Sequence, residues 1–149
     1  MFKNAVLMAA AAWLIGMPAR AASDAETATE IVALERRALT GWIAGNPDPT
    51  LAIADPGISY FHLVTEKRLD GLAAVTALFE QYRGRALYDS FDMVDSKVQA
   101  SGDMAVLTYI LVFRNGGASS RWNSTQVYQR KKDGWRVIHS HWSQTQPGR

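Results

Sequence analysis

Residues 88–143 read as strand, turn, strand, turn, with almost nothing else between. The strand-like runs are 88–100, 104–114, 120–130 and 135–143, and Ser101-Gly102-Asp103, Asn115-Gly116-Gly117 and Lys132-Asp133-Gly134 separate them. Glycine, asparagine and aspartate accept the positive φ that a tight reversal demands, so the connections are hairpins and the runs form an antiparallel meander. In the second run both alternating sets are apolar: Ala105, Leu107, Tyr109, Leu111 and Phe113 against Val106, Ile110 and Val112, with Thr108 as the interruption. A strand with one face in water alternates more cleanly. Both faces of the sheet are therefore expected to be covered, one by helices and the other by a second copy of the chain in a homodimer.

The helices precede the meander. Residues 23–45 carry Ile31, Leu34, Ala38, Leu39 and Trp42 at helical spacing, with Ser23 or Asp24 as cap and Glu26 in the first turn. Glu35, Arg36 and Arg37 are placed off that stripe, and Gly45-Asn46-Pro47 ends the helix. Residues 49–54 fit one more short helical turn, and 58–63 a strand. A polar connection, 65–70, leads to a second amphipathic helix over 72–82, with Val75, Leu78, Phe79 and Tyr82 on one side and Gly84 closing it. Helices first and a long meander after them give an α+β domain with helices packed on one face of a curved sheet.

The N-terminus has a different logic. Met1-Phe2-Lys3-Asn4 is a cationic head, 5–17 an apolar run, Pro18 a break, and Ala19-Arg20-Ala21 an A-x-A site. That order is a secretory signal, and the apolar run falls short of the roughly 20 residues a permanent membrane helix needs. Residues 1–21 are thus expected to be removed, leaving a single domain over 22–149, periplasmic or secreted, with no stable membrane anchor. Cleavage removes Lys3 and Arg20 and no acid, so fourteen basic residues face fourteen acidic ones. A neutral chain has no field to gather nucleic acid. The run Arg130-Lys131-Lys132-Asp133 is read as a solvated hairpin tip. Cysteine is absent, so packing alone must hold the domain. The sequence has five Trp, five Tyr and five Phe, and all but Trp13 and Phe2 remain after cleavage to supply a core or an aromatic-lined cavity.

The segment 122–143, WNSTQVYQRKKDGWRVIHSHWS, runs T-x-V, basic residues, D-G, W, then H-x-H-x-S. It resembles the closing hairpin of the nuclear transport factor 2-like superfamily, in particular the polyketide-cyclase-like proteins and the association domain of the calmodulin-dependent kinases. The order helix, strand, helix, four strands is similar too. The resemblance implies a cone: a curved antiparallel sheet wrapped by N-terminal helices, enclosing a pocket under the long helix, with a dimer on the opposite sheet face. It also implies a choice of activities, since the fold hosts isomerases, hydratases, cyclases, lyases and plain oligomerisation domains. The kinase domain's pocket is lined by arginines, whereas the aligned positions here are Leu111, Gln126 and Trp142, which implies an aromatic and nearly neutral pocket. Ketosteroid-isomerase relatives use an Asp base inside the cone. Asp55, Asp89, Asp92 and Asp95 lie near strands, and none of them is placed as its equivalent.

His139 and His141 share one strand face. Three readings stand open: structural histidines bonded to Thr125 or a partner subunit, acid–base groups, or metal ligands together with His62. If Gln126 and Trp142 face the pocket, strand parity turns His139 and His141 toward the dimer side unless a bulge intervenes. The pocket set is then Tyr109, Trp122, Gln126, Tyr128 and Trp142, with Trp42 from the helix stripe as a further binding residue. Tyr60 and His62 share a face of the first strand, a donor beside a base. The expected chemistry is cofactor-independent proton transfer, by a lyase or isomerase, on a small hydrophobic or aromatic molecule, lignin-derived compounds among the candidates. The candidate catalytic residues are His62, Tyr60, Tyr109, His139 and His141. The alternative is a non-catalytic periplasmic ligand-binding or oligomerisation domain. No P-loop, dinucleotide fingerprint, nucleophile elbow or H-E-x-x-H is present, so no cofactor or metal is assigned. Export has a direct check. The mass of the protein from its native host should correspond to a chain starting at Ala22 or within a few residues of it, and a chain that keeps Met1 refutes the signal.

Overall fold

The computed structural model describes residues 23–145; the export signal read in residues 1–21 lies outside them. Helix α1 spans Asp24–Ile43, α2 Asp48–Ile53 and α3 Leu72–Glu80; the strands are β1 Ala54–Phe61, β2 Leu69–Asp70, β3 Ser90–Ser101, β4 Met104–Asn115, β5 Ala118–Lys131 and β6 Gly134–Thr145. One six-stranded sheet runs in the order β2-β1-β6-β5-β4-β3. The three hairpins of the meander fall at the turn signals, and the α+β class stands as expected. One junction differs from a pure meander. β1 pairs with β6 in parallel, because the chain between them makes a full circuit through β2, α3 and the strands β3, β4 and β5 rather than one reversal. β1 also begins earlier than expected and stops at Phe61, which leaves His62 just past its end. The polar connection contains the short β2, paired antiparallel with β1.

Ser23 closes α1 with a reciprocal cap: its hydroxyl accepts from the Glu26 N–H, and the Glu26 carboxylate accepts from the Ser23 N–H. At the other end Gly45 adopts φ +72°, and its carbonyl accepts from the Gly84 N–H, tying the end of α1 to the end of α3. The buried side of α1 is Thr27, Ile31, Glu35, Ala38 and Leu39. Glu35 is therefore on the buried stripe, not off it. Steps of four, four and three residues from Thr27 to Ala38 return to the same helical face, and a carboxyl stands in the middle of it.

Two irregularities bend the sheet. On β3 the register jumps between Val94 and Lys97, where Asp95 takes φ +54°. On β6 it shifts so that Val127 faces His139 while Tyr128 faces Val137, leaving Ile138 as the extra residue. An extra residue bends its strand and raises the local twist. It also switches parity: Trp135 and Val137 point inward before Ile138, and Ser140 and Trp142 after it. The bulge precedes the histidine pair, so His139 and His141 stay on the outer face, one half-buried and the other exposed.

The concave inner face holds the core, with Leu107, Leu111, Tyr109, Phe113, Tyr128, Trp135 and Val137 packed against Ile31, Leu39, Val75 and Phe79. The convex face has no cover among the described residues. Val106, Ile110 and Val127 are half-buried there, and Phe61 and Val94 are 40% and 41% exposed.

Candidate functional site

The helices do not fill the cone. Between α1, α2 and α3 and the concave sheet lies a cavity of about 240 Å³. Its walls are mainly apolar: Leu39, Ile58, Val75 and Val137 with the rings of Trp42, Phe79, Phe113, Trp122 and Trp142. Leu63, Val64 and Leu87 also line it and are exposed, so they form its rim.

One acid stands in that apolar wall. Glu35 lines the cavity and is 4% exposed. The Tyr109 hydroxyl donates to its Oε1 at 2.6 Å, and the Tyr128 hydroxyl donates to its Oε2 at 2.5 Å. The two tyrosines come from neighbouring strands, β4 and β5, on the inner parity, so they converge on one carboxyl from below. Burial raises the Glu35 pKa above its ordinary 4.5, and the two O–H bonds oppose that rise without cancelling it. Burial, followed by the neighbouring carboxylate, holds Tyr109 and Tyr128 well above the usual phenol range. Both therefore remain donors. They reach the cavity through Glu35 rather than lining it themselves.

Tyr60 is the second polar feature. It lines the cavity on β1, is buried, and its hydroxyl has no hydrogen-bond partner among the described residues. Burial, with Tyr82 and Glu35 nearby, pushes its pKa up. Its hydroxyl is thus a protonated donor beside the acid.

His62 stacks between Tyr60 and Trp122, at 6.0 Å and 5.4 Å between ring centres, with interplanar angles of 13° and 20°. Burial lowers its pKa, which keeps the ring neutral. The Val64 N–H donates to Nδ1 at 3.3 Å. A backbone N–H can only donate, so Nδ1 carries the lone pair and Nε2 the hydrogen. The lone pair a general base would use is already engaged. His62 is therefore a stacked wall plate with its Nδ1 lone pair engaged, and the acid that shares the cavity wall with Tyr60 is Glu35.

The remaining binding candidates share a local device. The Trp122, Gln126 and Trp142 side chains donate to Ser120, Ser124 and Ser140 respectively, two residues earlier on the same strand face. Each serine satisfies its neighbour's N–H and leaves the indole rings as apolar wall. Trp42 packs on Phe79 and Tyr82 at 5.1 and 5.5 Å.

His139 and His141 stand across the sheet from all of this. His139 Nδ1 lies 2.8 Å from the Ser59 hydroxyl, and both rings pack against Phe61 on the outer face. They do not meet His62, so the metal-ligand reading of the three histidines has no common centre, and an acid–base role inside the pocket is closed to them. The aspartates also have local duties. Asp55 accepts from the Gly57 N–H and faces Lys131, Asp89 accepts from the Gly116 N–H, Asp92 pairs with Arg114, and Asp95 forms the β3 bulge.

The model of the calcium/calmodulin dependent protein kinase II association domain family matches residues 27–146. Among solved structures, a candidate ketosteroid isomerase from Parabacteroides distasonis is 33% identical, with a TM-score of 0.66 over 78% of this chain and 86% of that one. A nuclear transport factor 2-like protein of unknown function from Pseudomonas putida gives a TM-score of 0.73 at 24% identity, covering 80% and 87% of the two chains. The kinase hub of S. rosetta gives 0.65 at 23% identity, covering 78% and 95%. The last two similarities are of fold. None of the curated proteins compared matches this chain.

The buried carboxyl makes a stability prediction. A raised pKa means that the folded state favours the neutral acid. The stability this confers is fully present below pH 4.5 and is lost as pH rises through the raised value. Glu35→Gln cannot ionise, so its stability relative to wild type should improve from pH 5 to pH 8. Glu35→Ala strands two buried hydroxyls at about 1–3 kcal/mol each and should be the less stable variant at both pH values. Urea denaturation of the three proteins measures both differences.

Proposed function

The chain belongs to the calcium/calmodulin dependent protein kinase II association domain family, and on that premise we propose a self-associating domain whose inner cavity carries out cofactor-independent proton transfer on a small hydrophobic or aromatic molecule. The observation that carries this reading is Glu35: a carboxyl with a raised pKa, in an apolar cavity, beside the partnerless hydroxyl of Tyr60. A general base works best when its pKa approaches the operating pH, and burial moves Glu35 in that direction.

The chemistry follows from those two groups. The Glu35 carboxylate takes a proton from a carbon next to a carbonyl. The electron pair left behind moves onto the carbonyl oxygen, where the Tyr60 O–H donates to the developing charge. Returning the proton to a different carbon gives an isomer; expelling a leaving group instead gives a lyase product. Tyr109 and Tyr128 fix the carboxyl's orientation and moderate its basicity. The candidate ketosteroid isomerases from Parabacteroides distasonis and Shewanella frigidimarina, and a candidate dehydratase from Streptomyces avermitilis, share the fold and support this class of reaction. The export signal in residues 1–21 sends the reaction to the periplasm or outside the cell.

The assay is a screen of aromatic and terpenoid carbonyl compounds in deuterated water, with mass spectrometry reading both conversion and deuterium uptake. Glu35→Gln should lower the rate on any substrate found by about 10²–10⁴-fold. Tyr60→Phe should lower it by at least about tenfold, while His139→Ala leaves it unchanged. A Glu35→Gln protein that still exchanges at the wild-type rate refutes the mechanism.

Self-association rests on the outer face, where the half-buried Val106, Ile110 and Val127 and the exposed Val94 and Phe61 have no cover among the described residues. The hub domains of the kinase family support this use of the fold. A buried, unpaired carboxylate at such a contact costs several kcal/mol. Ile110→Glu should therefore convert the dimer to monomer in light scattering at micromolar concentration, with deuterium exchange at the inner site retained. A wild-type protein that is already monomeric there refutes the interface.

A further inference from the structure

We propose that the cavity discriminates its ligands by charge: small apolar amines bind as ion pairs with Glu35, and carboxylates are excluded. This deepens the reading of the cavity as a small-molecule site and rests on it. Among the described residues that line the cavity, Glu35 is the one carboxyl, and there is neither lysine nor arginine. A ligand that brings a negative charge therefore finds no cationic partner in the lining and meets a carboxyl instead. A ligand that brings a positive charge meets a carboxyl whose desolvation has already occurred on folding.

The geometry around Glu35 fits a cation. Each carboxylate oxygen accepts one tyrosine hydroxyl, and an ionised carboxylate offers about four lone-pair sites. Acceptor capacity therefore remains on the cavity side, where an ammonium group can donate. The groups facing Glu35 from the sheet are Tyr109 on β4, Tyr128 on β5 and Tyr60 on β1, all phenols and none cationic. His62 in the wall is held neutral by burial. No positive side chain in the lining competes for the carboxylate. The aromatic walls add to the preference, since the negative face of a π system attracts a cation. An amine seated in this way occupies the carboxylate that proton transfer needs, so it inhibits that reaction in competition with a carbonyl substrate.

The test compares three probes of nearly equal shape, 2-phenylethylamine, 2-phenylethanol and phenylacetate, by calorimetric titration of the whole mature protein and of Glu35→Gln. At pH 8 the amine should bind at least about tenfold more tightly than the alcohol, which is the usual gain of a charge-assisted hydrogen bond over a neutral one. Phenylacetate should be the weakest. Amine affinity should fall as pH drops through the raised Glu35 value, while alcohol affinity stays level. Glu35→Gln should bind amine and alcohol alike, and its alcohol affinity reports that the cavity is intact. If the alcohol binds and the amine binds no better, or if phenylacetate binds best, charge selection is overturned while the cavity remains a ligand site. If none of the three binds, the small-molecule reading falls and the inference falls with it.

Discussion

The carboxyl of Glu35 held between the hydroxyls of Tyr109 and Tyr128 is the contact on which the rest of the architecture depends. It joins the long helix to the two central strands of the meander, at bond lengths of 2.6 and 2.5 Å. Hydrophobic packing is tolerant of small slides, because one apolar side chain replaces another in a groove at modest cost. A buried three-member polar cluster is not. A shift of α1 by part of a turn would leave one acid and two phenols without partners in a dry interior. The cluster therefore fixes the helix over the sheet in one register. It also holds the polar ends of the tyrosines at the helix, so that their rings floor the cone without filling the space beside them.

Curvature makes that space. The β3 bulge at Asp95 and the β6 bulge at Ile138 lie on strands either side of the β4–β5 pair. Each bends its strand, and together they wrap the sheet around α1. The β6 bulge has a second effect through strand periodicity. It lets Trp135 and Val137 close the core at one end of the strand while Ser140 and Trp142 line the cavity at the other. The same parity sends His139 and His141 outward to Phe61. One inserted residue thus decides which titratable groups face the cavity.

Much of this was legible in the residues. Glycine-bearing turns with short runs between them specify hairpins regardless of what packs on them, so the meander was readable, while its register shifts at Asp95 and Ile138 were not. Parity then grouped Tyr109, Trp122, Gln126, Tyr128 and Trp142 on the inner face. Glu35 does not stand out as a site residue in the sequence, because a glutamate between Leu34 and Arg36 looks like part of a solvated helix face. The signal was present in two halves. Glu35 lies four residues after Ile31 and three before Ala38, on the buried arc. Two tyrosines of inward parity on adjacent strands each seek a partner for a buried hydroxyl. Neither half is decisive alone, and only the tertiary fold brings them together. The role of His62 was hidden for a different reason. Its lone pair is taken by the Val64 N–H in a turn that no periodicity encodes.

The proposed catalysis and the proposed assembly fall on different surfaces of the same strands. On β4, Tyr109 points to Glu35 while its neighbours Thr108 and Ile110 point to the convex face. A strand of alternating side chains can therefore vary one set without repacking the other. A fold family that contains both kinase hubs and candidate isomerases follows from this separation. The convex face can keep an apolar surface for assembly whatever the cavity holds, and the cavity can gain or lose an acid whatever the convex face binds. The cost of the acid falls on stability. Glu35 is more readily neutral in the folded state than in the unfolded chain, so every increase in pH that ionises it works against the fold. A purely structural link between α1 and the sheet would be better served by glutamine, which bonds the same tyrosines without that penalty. An ionisable carboxyl in the wall of a mainly apolar cavity is what would separate a site from a strut.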